Sequence, residues 1–373
     1  MTSRARKAPV LARTTRGMTP PRVRDVTSAG TNALELLGRY GLPLALFLVL
    51  VLFSVWKSSV FFTWANFKAT FSNQAVILMV ALGAMVPLIV GEFDLSVGAN
   101  AGLAAIFAVG FSSMQHITPW ISILFAVLIS GTVGLINGVI ITRLRVNSFV
   151  ATLGVATAIG GFGELYTHEL DLQGAPAGLE SIGRTTVASL PMTVIVAVVV
   201  AFALLVVLQY LPSGRQLLAV GSNRRAAELT GIRPDLQVIF AFVAAGVIVG
   251  VGGALYGANL GAASNSTGPT LLLPAFAGAF LGSTTITPGR FNVLGTIVGV
   301  LLLAFLVTGL EQVGVAPWVQ PVVQGCALIL AVALSSWAVR ARLTRLRVAQ
   351  LALLEAERDA DPEAENNGAS SGD

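Results

Sequence analysis

The sequence predicts an all-α polytopic membrane protein of about ten transmembrane helices flanked by disordered tails. Three observations predict it. First, hydrophobic residues make up 55% of the 373 residues, charged ones only 11%, and the mean hydropathy is +0.81. A soluble domain carries about 25% charged residues, so too little polar surface remains here to coat a soluble particle. Second, the apolar residues gather in runs near the ~20 residues that cross about 30 Å of hydrocarbon. Third, when those runs are threaded alternately, 20 of the 23 Lys and Arg residues fall on one side and only Lys57, Lys68 and Arg184 on the other. Basic loops stay in the cytoplasm.

The elements follow in order. Residues 1–39 hold eight of the basic residues, from Arg4 to Arg39, with little apolar periodicity. They read as a cytoplasmic tail that either rests on anionic inner-leaflet lipid or only sets topology. This basic region is too long, and the first apolar run too close to full span length, for a cleaved signal peptide. A membrane domain, 40–339, follows, with spans expected at 41–56, 73–90, 95–114, 120–142, 148–167, 191–211, 238–260, 270–283, 293–313 and 318–339. The eighth is short and carries Pro274, Gly278 and Gly282, so it either spans or re-enters as a broken pair of half-helices. Beyond 340 the chain turns polar. Residues 342–358 extend the last helix, with Leu343, Leu346 and Leu353 along it, and the acidic end reads as disorder. Both termini are then cytoplasmic, in a multi-pass protein of the plasma (inner) membrane.

Between the second and third spans lies Gly91-Glu92-Phe93-Asp94-Leu95-Ser96-Val97-Gly98. A charge near hydrocarbon costs several kcal/mol, roughly 3 on insertion scales, and survives facing a cavity or a partner. Asp94 and Ser96 either close orphan amides at the start of the third helix or touch a solute. Asn137, inside an apolar run, bonds a neighbouring helix. Gly246, Gly250, Gly252, Gly253 and Gly257 allow close helix packing rather than forming a phosphate loop. Gly131-Thr132-Val133-Gly134 and Gly295-Thr296-Ile297-Val298-Gly299 are weakly alike, the kind of echo that transporter repeats leave.

Several chemistries are missing. No Gly-x-x-x-x-Gly-Lys-Ser/Thr phosphate loop exists, and none of Lys7, Lys57 or Lys68 follows a glycine. ATP chemistry, if it drives this chain, belongs to another polypeptide. The two histidines, His116 and His168, fall in outer loops without a Ser or Asp partner set, so no catalytic residues are expected. One cysteine, Cys326, and two histidines make neither a disulfide nor a metal site. No nucleic-acid partner is expected.

The longest internal loop of the basic side, 212–237, is the most informative soluble segment. Asn223 suits an N-cap, residues 224–230 give about two helical turns, Gly231 supplies a left-handed C-cap, and Pro234 forbids continuation. The product is a short capped helix at the inner face, with Ala226, Ala227 and Leu229 apolar and Arg224, Arg225 and Glu228 charged. Such a helix either plugs into a cleft on a partner or lies on lipid as a connector.

This loop resembles the coupling segment of sugar-importer ABC permeases of the ribose, xylose, galactose and arabinose type. Their pattern of Gly-Arg, Gly-x-Asn-x-x-Ala-Ala and Gly-Ile stands here as Gly214-Arg215, Gly221-Ser222-Asn223, Ala226-Ala227 and Gly231-Ile232. The 91–98 stretch is similar to their Gly-Gly-Ile-Asp-Leu-Ser-Val-Gly, with Glu92 and Phe93 replacing Gly and Ile. Asn137-Gly138 followed by Phe149-Val150-Ala151-Thr152-Leu153-Gly154 matches, as does Gly282-Ser283-Thr284 with Gly289-Arg290 and Gly295-Thr296. The resemblance runs from about residue 69 to 337.

The resemblance implies a type II ABC importer permease that translocates a monosaccharide or related polyol by alternating access. It implies a second permease copy or paralogue, two ABC ATPase subunits that bind the ATP, and an extracytoplasmic sugar-binding protein, beside membrane lipid. The residues it marks for the path are Glu92, Asp94, Ser96, Asn137, Phe149 and Thr152. For ATPase coupling it marks Gly214, Arg215, Asn223, Arg224, Ala226, Ala227, Glu228 and Gly231. The rival is an ion-coupled secondary transporter using Glu92 and Asp94 as proton or sodium sites; it needs no capped cytoplasmic helix. A channel or scaffold explains neither that helix nor the carboxylates.

Overall fold

A computed structural model describes residues 29–336 as a helical bundle. Its helices are α1 Ala29–Trp56, α2 Trp64–Ile89, α3 Val97–Ser113, α4 Pro119–Arg143, α5 Ser148–Thr167, α6 Ala177–Arg184, α7 Met192–Tyr210, α8 Pro212–Ser222, α9 Arg224–Leu229, α10 Pro234–Leu260, α11 Thr267–Gly282, α12 Val293–Val313 and α13 Val319–Ser336. Among the described residues, eight helices are long and apolar enough to cross a membrane, and α3 and α11 are shorter apolar helices. Together they occupy the ten predicted runs. The basic head before 29, the helix extension at 342–358 and the acidic end lie outside the described residues.

Most boundaries fall within a few residues of the sequence reading; α1, expected over 41–56, starts twelve residues early at Ala29, inside the expected tail, and three further differences have physical causes. α2 begins nine residues early because the Thr63 hydroxyl accepts from the Asn66 amide at 3.2 Å and caps it; Asn66 and Lys68 interrupt the apolar run there. α11 is one continuous helix, not a broken pair. Its small residues serve packing: Gly278 lies against Val300, and Gly282 against the Gly295–Thr296 backbone of α12. Proline and glycine are tolerated in membrane helices where neighbours re-satisfy the backbone. α8 was not expected at all; Pro212 at its first turn starts it.

The core is organised around α10, which packs chiefly on α4, α3 and α2. Backbones meet there because side chains are missing. Gly134 of α4 faces the Phe242 carbonyl, Gly246 faces the Ser130 carbonyl, and Gly253 faces the Ala101 carbonyl. Lipid offers no hydrophobic drive between helices, so such close packing carries their association. α1 and α13 lie at the periphery with almost nothing buried, and Leu44, Phe47, Leu48, Leu52 and Val55 stand exposed on α1. In water this would be an aggregating surface; in a bilayer it meets its solvent.

Each end of α10 is fastened. At its C-terminus, Arg184 of α6 donates through Nε to the Asn259 carbonyl at 2.9 Å and through Nη2 to the Leu260 carbonyl at 3.1 Å. Glu180, one turn earlier, holds the same guanidinium at 2.6 Å. At the N-terminus, Asp235 sits in the first turn, where the helix dipole favours an anion.

Candidate functional site: the α2–α3 loop and the α9 helix

α2 ends at Ile89, and Gly91 (φ +85°) turns the chain away. The residues that follow are held by hydroxyls of α5. The Phe93 amide donates to Ser148 Oγ at 3.2 Å, and the Leu95 amide donates to Thr152 Oγ1 at 3.0 Å. Thr152 keeps its own proton on the Ser148 carbonyl at 2.8 Å. Between these two bonds sits Asp94, 2% exposed. Its Oδ1 accepts from the Ser96 amide at 3.0 Å and from the Ser96 hydroxyl at 2.6 Å. Asn137 of α4 completes the cluster by donating from Nδ2 to Ser96 Oγ at 2.8 Å.

This is an Asx turn placed before the helix, and it revises the expected cap. Ser96 is the cap residue of α3 but makes no side-chain cap bond. Asp94 instead fixes the turn that delivers the chain into α3, the local bonding that Asp commonly makes with a backbone amide two residues on. A buried polar group is tolerable when its bonds are made, and Oδ1 has two. Asp94, Ser96, Asn137 and Thr152 therefore converge, and Ser148, which the sequence did not single out, joins them. Phe149 does not: half of its surface is exposed.

Glu92, two residues from Asp94, has a different environment. It is half-buried, and its Oε1 faces Arg224 Nη1 at 3.5 Å. Arg224 is the first residue of α9. Its other nitrogen, Nη2, meets Asp235 Oδ1 at 2.6 Å. Asp235 is gripped from the other side by Arg145, whose two nitrogens reach both carboxylate oxygens at 3.2 and 3.0 Å. Such a fork fixes orientation as well as charge. The two motifs that looked separate in the sequence therefore form one assembly at one end of the bundle.

α9 is built as its residues predict. Asn223 Oδ1 accepts from the Ala226 amide at 3.0 Å. Gly231 (φ +87°) closes the helix while the Ile232 amide returns to the Ala227 carbonyl at 3.1 Å. Ala227 is buried at 4% exposure and packs inward, whereas Leu229, at 77%, points away from the protein. Arg225 and Glu228 pair with each other at 3.0 Å on the exposed side. The outward face of α9 is thus Arg225, Ala226, Glu228 and Leu229, and Ala227 is its anchor. Upstream, Gly214 lies buried against the Val207–Leu208 backbone of α7, and Arg215 is exposed. A Cβ at Gly221 would strike the Ile89 carbonyl, so only glycine lets α8 pass this close to the end of α2. A charged cavity of about 610 Å³ is lined by α9 and the α4 and α10 termini, with Arg143, Arg145, Arg224, Glu228, Arg233 and Asp235 in its wall.

The sequence missed Arg145 and Asp235. Asp235 directly follows a proline that opens a helix, a first-turn acidic signal. Nothing local marked Arg145 as its partner, because 90 positions separate them.

Residues 67–332 match the family model described as "Branched-chain amino acid transport system / permease component". The ribose import permease protein RbsC of Bacillus subtilis (strain 168) is 30% identical over 293 residues, 78% of this chain and 90% of that protein. The galactose/methyl galactoside import permease protein MglC of Haemophilus influenzae is 30% identical over 309 residues, 78% of this chain and 91% of its own length. The autoinducer 2 import system permease protein LsrC of Yersinia enterocolitica is 33% identical over 255 residues, 68% of this chain and 69% of its own. No solved structure matches.

Proposed function

The chain belongs to the permease components of branched-chain amino acid transport systems as that family model describes them, and from this membership we propose that it carries a monosaccharide or related polyol through the plasma membrane as one subunit of an ABC importer. The observation that carries the reading is the family match across the membrane domain, together with full-length relatives named for ribose and for galactose or methyl galactoside import. ATP binds partner ATPase subunits, which dock on the outward face of α9. An extracytoplasmic binding protein delivers the solute, and a second permease copy or paralogue completes the path. Gly214, Arg215, Asn223 and Gly231 shape and place α9; Arg225, Ala226, Glu228 and Leu229 meet the ATPase. Moving a two-state transporter from 1:99 to 99:1 needs about 5.5 kcal/mol, which ATP binding can supply.

The docking reading has a direct test. Leu229→Asp puts a charge on the exposed face without touching the core, so co-purification of the ATPase and solute uptake should both fall while insertion is unchanged. Normal co-purification with intact uptake would make α9 a connector only. Ala227→Asp is the contrasting variant, because it places a carboxylate in the apolar interior beneath α9 and lowers the amount of folded protein.

The 20-to-3 basic split supports cytoplasmic termini. Tags at Ser3 and Ser371 should resist external protease in intact cells; cleavage of either one refutes the ten-span threading. No observation favours the ion-coupled alternative.

A further inference from the structure

We propose that Arg224 and Glu92 form the joint through which α9 displaces the α2–α3 loop, with Arg224 as a positioning residue for the Asp94 turn. The inference rests on the importer reading for its purpose, but the joint itself is a matter of geometry. Arg224 begins α9 and stands between two carboxylates from different elements, Asp235 at 2.6 Å and Glu92 at 3.5 Å. The Asp235 side is braced, because Arg145 holds both of its oxygens from the α4–α5 connection. The Glu92 side is not: among the described residues Arg224 is its one ion-pair partner. The braced pair therefore fixes where the guanidinium sits, and Glu92 follows it.

What Glu92 carries with it is specific. The next residue, Phe93, and the third, Leu95, donate their amides to Ser148 and Thr152 of α5. Asp94 lies between them and sets the entry into α3 through Ser96. A shift of Glu92 thus acts on two amide–hydroxyl bonds and one Asx turn within four residues. Partly exposed ion pairs are weak enough to open and re-form, which suits a joint that works in each cycle. Gly221 places a second contact beside it, where α8 touches the Ile89 carbonyl. The end of α2 is met by backbone, and the loop that follows it is drawn by charge.

The joint predicts non-additivity that no independent structural role produces. Hydrogen exchange at the Phe93 and Leu95 amides is measured on the full chain in lipid nanodiscs, for wild type, Glu92→Gln, Arg224→Gln and the double variant. Each single change should speed exchange there about three- to fivefold, as loss of a partly exposed ion pair allows, and the double should match the singles. Exchange in α6, which packs on the other end of α10, should not move. In the co-purified complex, ATP should change exchange at 91–96 in wild type and leave the variants unchanged. Singles that exchange like wild type, or a double whose effect is the product of the two, overturn the proposal. If no ATPase co-purifies with wild type, the importer reading fails while the exchange cycle still decides the joint.

Discussion

Two arginines hold opposite ends of the same helix, and they do it differently. Arg184 grips the C-terminus of α10 through backbone carbonyls of Asn259 and Leu260. Those groups are orphaned at any helix end and cannot be moved apart without unwinding it. Arg224 grips the N-terminal side through Asp235 and then reaches Glu92 on a separate loop. Side-chain carboxylates on different elements can separate while each element stays folded. One end of α10 is a clasp and the other a hinge pin. The contrast shows why counting ion pairs says little about function: what matters is whether the partner is the helix itself or a neighbour free to move.

The comparison is broken most forcefully at Asp94, at the hinge end. Asp94→Ala removes both bonds to Ser96 and leaves a buried amide without its acceptor, a loss of about 1–3 kcal/mol. Asp94→Asn keeps an oxygen in the same place, so its loss should be under about 1 kcal/mol. Unfolding of the purified chain and uptake in cells should rank wild type, Asn, then Ala. An Asn variant as damaged as Ala would mean that charge, and not the turn, is what the site needs.

The clasp end sharpens the comparison with a smaller effect. Arg184→Gln should cost about 1 kcal/mol, because half of this side chain is exposed and screened. The melting temperature in detergent should fall by about 2–4 °C, while uptake per ATP hydrolysed stays at the wild-type value. A variant that melts normally but uncouples would erase the distinction between the two ends.

Much of this architecture was legible in the sequence, for a reason that lies in the solvent. A bilayer demands apolar runs of fixed length, so 148–167 and 293–313 are found to the residue. α9 was legible because capping is local chemistry: Asn223, Gly231 and Pro234 each act within four positions. The start of α2 was hidden by Asn66 and Lys68, and α8 by a proline and glycine that resemble loop punctuation. The site was half legible. Asp94, Ser96, Asn137 and Thr152 converge as named, yet nothing in the chain said that Glu92 would face Arg224, because 132 positions of intervening helix decide that contact. Ala227, which the resemblance marks for coupling, is buried; a six-residue helix gives too few turns for periodicity to tell its inner side from its outer.

The central claim is that ATP on a partner subunit, not an ion gradient at Glu92 and Asp94, moves the solute. Uptake of labelled ribose and galactose is therefore measured in vesicles holding the whole complex, with ATP clamped and the gradient collapsed by a protonophore. The account predicts uptake that persists without the gradient and stops when ATP is withdrawn. Uptake that collapses with the gradient at constant ATP would contradict it.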